Sequence, residues 1–267
     1  MLLILTCDKP LRLVKLSYSV HLKTKALFSN TCTLCSQYGM IQHAPLYFGD
    51  NKMKTAERIL VTALDIFNQQ GENNVSSVEI AMELDISPGN LYYHFKGKEV
   101  IVAALFSLYQ EQMRAILDAP GNQSDTSLNI EDFFYYLYLI IEKNHLFRFL
   151  YRNPTDLTDK YPSVAKGFVK LMAAQERCVT ELLAQFVVQN TITASAGQCH
   201  QMVEIIGLVF GQAGNYYALK GHDINDDEYL YKSLSAILFA LLPYINIEPG
   251  ELHRLQEAIV NREFTNE

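Results

Sequence analysis

The sequence predicts an all-α protein in which a small three-helix unit precedes a larger helical bundle. Three observations predict it. Apolar residues recur at helical spacing from Thr55 onward, strand-like alternation is absent, and capping residues or Gly/Pro/Asp clusters punctuate each periodic segment. No internal repeat interrupts the pattern. A chain of 267 residues is long enough to bury a core for such a two-part body.

The first helix is expected over Thr55–Gln70, with Ile59, Leu60, Ala63, Leu64 and Phe67 on one face and Gly71 as its stop. Ser76 and Glu79 form a capping box that opens a short helix through Leu84, with Ile80, Ala81 and Leu84 turned inward. Asp85, Ile86 and Ser87 make a tight turn. Ser87 is the next N-cap, and Pro88 takes the first helical position, where a missing N–H costs nothing. That third helix ends at Phe95, one turn after Leu91. Lys96-Gly97-Lys98 interrupts the chain, and a long helix runs from Lys98 to about Asp118. Pro120 to Asn129 is a polar loop and the clearest internal boundary. Further helices are expected over 131–152, 162–189, 197–219, 228–244 and 250–264. Breakers at Asn153-Pro154, 191–197, 220–227 and Pro249-Gly250 separate them.

Composition narrows the class. With 49% hydrophobic and 19% charged residues the chain resembles a folded globular protein, which excludes global disorder. The longest apolar runs, Phe133–Ile141 and Ala236–Leu242, fall short of the ~20 residues that cross a bilayer. Met1–Leu5 lacks the basic leader of a signal peptide. The expectation is a soluble cytoplasmic protein with no membrane partner.

Residues 1–52 behave differently. They show no sustained period, and they hold Cys7, Cys32 and Cys35 of the five cysteines. Cys32-x-x-Cys35 has the spacing of half a zinc site or a redox pair, but His21 and His43 stand at spacings that do not complete it. The expectation is a poorly ordered extension, with native translation starting at Met53. The extension carries six Lys/Arg against two Asp, so the remaining residues hold 16 basic and 27 acidic groups. So acidic a body argues against broad nucleic-acid coating and leaves room for a small, well-placed contact surface. The chain thus divides into 1–52, a head at 53–100 and a body at 101–267.

Two short helices joined by a tight turn, the second capped by Ser-Pro, form a helix-turn-helix layout. The first braces the second, whose N-terminal side chains must reach base edges. Ser87-Pro88-Gly89-Asn90 places small or hydrogen-bonding residues there. Tyr92, Tyr93, His94, Lys96 and Lys98 follow as donors for phosphate oxygens. Residues 55–105 resemble the DNA-binding domain of the TetR family of bacterial transcriptional regulators. The likeness runs through Ala63–Phe67, Val75–Ala81, Ile86–Phe95 and Lys96–Glu99, and Leu-Tyr-Tyr-His-Phe-Lys-x-Lys is its most specific stretch.

The resemblance implies that Ser77, Gly89, Asn90 and Tyr93 approach the groove. It implies that Tyr92, His94 and Lys98 hold phosphates, and that Leu91 and Phe95 are core. Val78 stands where many relatives carry a polar base reader, so one contact is apolar or missing. Asp85 replaces the usual turn Gly, and Asp tolerates a left-handed conformation. Between Met53 and Lys98 four Lys/Arg face six acids, so binding must rest on geometry and dimerisation more than on bulk charge.

The resemblance also implies that the body binds a ligand and dimerises. Residues 131–152 are rich in aromatics, which either pack the core or line an apolar cavity. Phe133, Tyr136, His145, Arg148 and Tyr151 are the candidates for that cavity, and a small apolar or aromatic effector the candidate ligand. Asn144 to Arg152 is similar to a stretch in the effector domain of one subgroup. Small residues Gly207, Gly211, Ala213 and Gly214 permit close helix approach. Family architecture would pair the late helices about a two-fold axis, with Ile206, Phe210, Leu238 and Leu241 as interface candidates.

The function implied is a repressor that binds a palindromic, double-stranded operator as a homodimer and is released by its ligand. The alternative is a helical ligand-binding or protein-interaction module that has lost DNA binding. An enzyme is not expected: no phosphate loop, H-E-x-x-H pair or G-x-S-x-G elbow occurs. Cys178 and Cys199 read as core, and no catalytic residue, metal or cofactor is expected.

Overall fold

The computed structural model describes residues 54–119 and 128–264. The expectations for residues 1–52, for Met53 and for most of the 120–129 loop lie outside these residues. Among the described residues there are eleven α-helices and no strand: α1 Thr55–Gln70, α2 Ser77–Glu83, α3 Pro88–His94, α4 Lys98–Asp118, α5 Ile130–Leu146, α6 Phe149–Arg152, α7 Pro154–Lys160, α8 Pro162–Val188, α9 Ala196–Leu219, α10 Glu228–Leu241 and α11 Pro249–Val260.

The head is built as its sequence dictates. Ser76 Oγ accepts from the Glu79 N–H while the Glu79 carboxylate accepts from the Ser76 N–H, so the α2 capping box is closed. Ser87 caps α3 through the Asn90 N–H at 3.1 Å, with Pro88 in its first turn. Asp85 has φ 53°, the left-handed value the turn requires. Ile59, Ala63, Phe67, Ile80, Ala81 and Leu91 are fully buried where α1 to α3 meet. A short 3-10 turn, Glu72–Asn74, links α1 to α2.

The body departs from expectation at three places. The helix expected over 131–152 is broken at Phe147-Arg148 into α5 and α6. The break is held by a residue distant in sequence. Asn68 on α1 donates to Leu146 O at 2.9 Å and accepts from the Phe149 N–H at 3.0 Å. Both orphan backbone groups of the break are thus satisfied. Second, Asn153-Pro154 starts the seven-residue α7 instead of merely breaking the chain, because Pro suits a helical first turn. Third, the last turn of the 228–244 segment tightens to a 3-10 helix at Leu242–Tyr244, where Pro243 removes an N–H. The final helix stops at Val260.

The long α4 joins head to body. Its apolar side, from Ile101 to Leu117, is buried against α1, α5 and α8. By length and composition alone α4 is apolar enough to cross a membrane; here that apolar surface is the seam of the core. α4 and α8 approach closely at Gly167, where a Cβ would stand 2.1 Å from the Phe106 ring.

Candidate functional site

On the head, α2 and α3 present one exposed surface. Tyr92 and Tyr93 are 56% and 77% exposed, unusual for tyrosines in a structured helix. Gly89, Asn90, His94 and Lys96 are exposed beside them, Ser77 is half-buried, and Val78 and Met82 are exposed on α2. Lys96 Nζ lies 5.0 Å from the Tyr92 ring centre, and Tyr93 meets His94 edge-on at 5.2 Å. Leu91 and Phe95 point inward, as the spacing predicts. One helix face therefore anchors, and the other offers hydroxyl, imidazole and ammonium groups to solvent.

Lys98 does not join that surface. Its Nζ donates to Glu72 O at 2.9 Å and to Val75 O at 2.8 Å, and pairs with Glu72 Oε1 at 3.0 Å. An ammonium has three donors, and all three are spent inside the protein. The phosphate role expected of Lys98 is replaced by a structural one. Glu72 is 4% exposed and also accepts from Lys160 Nζ at 2.9 Å and from Tyr161 O–H. Burial pushes its carboxyl up, but the hydrogen bonds from Tyr161, Lys160 and Lys98 outweigh that and hold it below its ordinary value. Sequence reading missed Glu72 because its partners lie as far as 89 residues away.

Among the cavities of the described residues, two adjoin at Tyr151. The larger, about 380 Å³, lies among α6, α7, α8 and α9 and is walled mainly by apolar groups such as Phe168, Met172, Val203 and Phe210. The smaller, about 290 Å³, lies where α1 of the head meets α5, α6, α9 and the loop after α9, beside Asn68, Arg148 and Tyr229. Tyr151, Phe210 and Gly211 line both. Of the residues expected to line a cavity, the structure brings Tyr151 and Arg148 to these spaces. His145 stands behind Tyr229, its Nδ1 3.0 Å from the hydroxyl. Burial, helped by Arg148, pulls the His145 imidazole down to about 4, so it is neutral at pH 7.

Phe133 and Tyr136 line neither cavity. Phe133 packs against Phe134 and Phe186, and Tyr136 O–H meets Cys178 Sγ at 2.9 Å in the core. They stand in the first half of α5, ahead of Ile141 and Asn144, which line the smaller cavity from its far end. A polar chain links the shared wall to α4. The Tyr151 hydroxyl meets that of Tyr109 on α4, which donates to Asn144 Oδ1 at 2.8 Å; Asn144 Nδ2 donates to Phe210 O at 3.1 Å.

The four expected interface residues are also corrected. Ile206, Phe210, Leu238 and Leu241 are at most 7% exposed within one chain, because they form the contact of α9 and α10 with the rest of the body. The outward faces carry Ile205, Leu208, Tyr216 and Leu219 on α9 and Phe239 on α10, with Phe239 77% exposed. Gly207, Gly211 and Gly214 face open space. Cys199, expected in the core, is half-buried.

A head that exposes a Ser-capped helix after a tight turn, set on a helical body, defines a helix-turn-helix class of DNA-binding regulator. Comparison with known proteins gives the family. The model described as bacterial regulatory proteins, tetR family, matches residues 59–105, and that described as bacterial transcriptional repressor matches 108–251. The chain belongs to the TetR family of transcriptional regulators, and its N-terminal part is the family's DNA-binding domain.

It is 30% identical over 108 residues to the probable HTH-type transcriptional regulator YttP of Bacillus subtilis, covering 39% of this chain and 52% of that one. It is 40% identical over 62 residues to the HTH-type transcriptional regulator UidR of Escherichia coli K12, covering 23% and 31%. The chain thus spans about half of the first relative's length and about a third of the second's. A TetR-family transcriptional regulator from Marinobacter aquaeolei VT8 superposes with a TM-score of 0.65 at 25% identity, over 80% of this chain and 100% of that one. The ketosteroid transcriptional regulator KstR2 of Mycobacterium tuberculosis shares the fold, with a TM-score of 0.57 at 15% identity over 73% and 97%.

Proposed function

We propose that the protein is a cytoplasmic repressor that binds a palindromic operator as a homodimer and leaves it when a small apolar molecule enters the body. It works by binding, without catalysis. The observation that carries the reading is the continuity of α4, which begins beside the recognition helix and carries Tyr109 to the cavity wall. Ser77, Gly89, Asn90 and Tyr93 face the bases in this reading, and Tyr92, His94 and Lys96 the phosphates. Lys98 supports them by fixing the start of α4 against the α1–α2 connection.

Dimerisation through the outer faces of α9 and α10, centred on Leu208 and Phe239, supplies the second head. One short recognition helix reads too few bases alone, and paired helices must match about one DNA turn, 34–36 Å. A ligand against Tyr151 that shifts Tyr109 tilts α4 and spoils that spacing. A hundredfold preference for the misaligned dimer costs about 2.7 kcal/mol of operator affinity. The test is to find a binding fragment in the flanking intergenic DNA, then titrate apolar compounds into the complex. Release by an apolar compound supports the reading. Release only by small polar metabolites removes the apolar effector and keeps the repressor; no specific DNA binding removes both. Sedimentation as a monomer, with or without operator, removes the dimer.

A further inference from the structure

We infer that the smaller cavity, at the joint of head and body, takes the carboxylate of an apolar monocarboxylic acid, with the Arg148 guanidinium as its counter-ion and the acid's chain lying in the larger cavity. This rests on the ligand-binding reading above and names the ligand's chemistry. Arg148 is half-buried at the cavity wall, yet no carboxylate lies within ion-pair distance of it among the described residues. Nη1 donates to His145 O at 3.2 Å and Nη2 to Asn225 Oδ1 at 2.6 Å, while the buried Nε has no partner. A half-buried guanidinium without a counter-ion at the wall of a cavity favours an anion there. Arg152, one turn on, lines the same space and adds positive charge. Asp65 and Asp223 act on Arg148 only at longer range, the latter tied to Asn225.

The charge balance selects a monoanion. Two of the five guanidinium N–H donors are spent on His145 and Asn225, which leaves enough for a carboxylate, whereas a phosphate dianion would meet stronger repulsion from Asp65 and Asp223. A carboxylate matches the edge of a guanidinium. The rest of the molecule must be apolar, because the cavity beyond is walled by Phe168, Met172, Val203 and Phe210. Tyr151, Phe210 and Gly211 line both spaces, so the two adjoin there.

The experiment titrates the intact protein calorimetrically with straight-chain monocarboxylates from hexanoate to palmitate and with the primary alcohols of the same lengths. The best acid should bind roughly tenfold to a hundredfold more tightly than its alcohol, the difference a charge-assisted buried hydrogen bond makes. Arg148→Met should abolish that preference and leave alcohol binding in place. If Arg148→Met does not fold, Gly214→Leu serves: of the two cavities Gly214 lines only the smaller, and a Cβ there meets nothing within 4 Å. Gly207→Leu, which fills only the larger cavity, should weaken acid and alcohol alike.

Equal affinity for acid and alcohol, a preference that survives both Arg148→Met and Gly214→Leu, or no binding by any acid would each overturn the inference. Operator release by apolar alcohols with no acid preference sinks this inference and leaves the repressor standing. Arg148-dependent acid binding without any effect on DNA does the reverse.

Discussion

The outer side of the head and the seam behind it use the same kinds of residue to opposite ends. On the outer side Tyr92, Tyr93, His94 and Lys96 stand in solvent, tied only to one another. On the seam Asn68, Glu72 and Lys98 have their polar groups matched by Leu146, Phe149, Lys160, Tyr161 and Val75. The first arrangement keeps hydrogen-bonding capacity for a partner molecule. The second spends it on fixing the head to the body. A head held this way turns only if the body turns it, which is the leverage that the proposed release by a ligand requires.

Substitutions can break the comparison, and the seam should give the largest effects on stability. Glu72→Ala leaves Lys98 and Lys160 without their buried carboxylate and should cost about 3–5 kcal/mol in urea melts. An effect below ~1 kcal/mol would mean that the seam is not what holds the head. The same carboxylate sets a pH dependence. Its folded value lies below its unfolded one near 4.5, so its stabilisation is present above pH 4.5 and is lost as pH falls through the folded value. The advantage of the native protein over Glu72→Gln should therefore shrink as pH falls below about 4.5.

Asn68→Ala strands a carbonyl and an N–H at the α5–α6 break and should cost about 1–3 kcal/mol, with operator affinity reduced through the displaced head. The two lysines sharpen the contrast. Lys98→Ala should lower the melting temperature, whereas Lys96→Ala should leave it in place and flatten the log–log salt dependence of operator binding by about one unit. If the two variants exchange these behaviours, the assignment of Lys98 to the seam is wrong.

Much of the head was legible in the sequence because its signals are local. Ser76/Glu79, Ser87-Pro88 and Asp85 each act within four residues, and α1 to α4 fall where periodicity put them. The body was less legible because its decisive contacts join distant residues. The α5–α6 break depends on Asn68, some eighty residues earlier, and no local pattern in 131–152 announces it. Periodicity also identifies an apolar face without saying what covers it. Ile206, Phe210, Leu238 and Leu241 were rightly apolar and wrongly placed, since the protomer itself covers them. Exposure, which singles out Leu208 and Phe239, exists only in three dimensions. Lys98 belongs with them: a lysine after a recognition helix reads as a phosphate contact until Glu72 is seen folded beneath it.

The central claim is that the outer face of the head is kept for DNA and contributes little to folding. Tyr93→Ala tests it most directly, measured by fluorescence anisotropy on the operator duplex and by a urea melt of the same sample. The expected result is operator affinity weakened by about 1–3 kcal/mol, with the unfolding midpoint unchanged to within about 0.5 kcal/mol. Unchanged operator affinity, or a loss of affinity matched by an equal loss of stability, would contradict it.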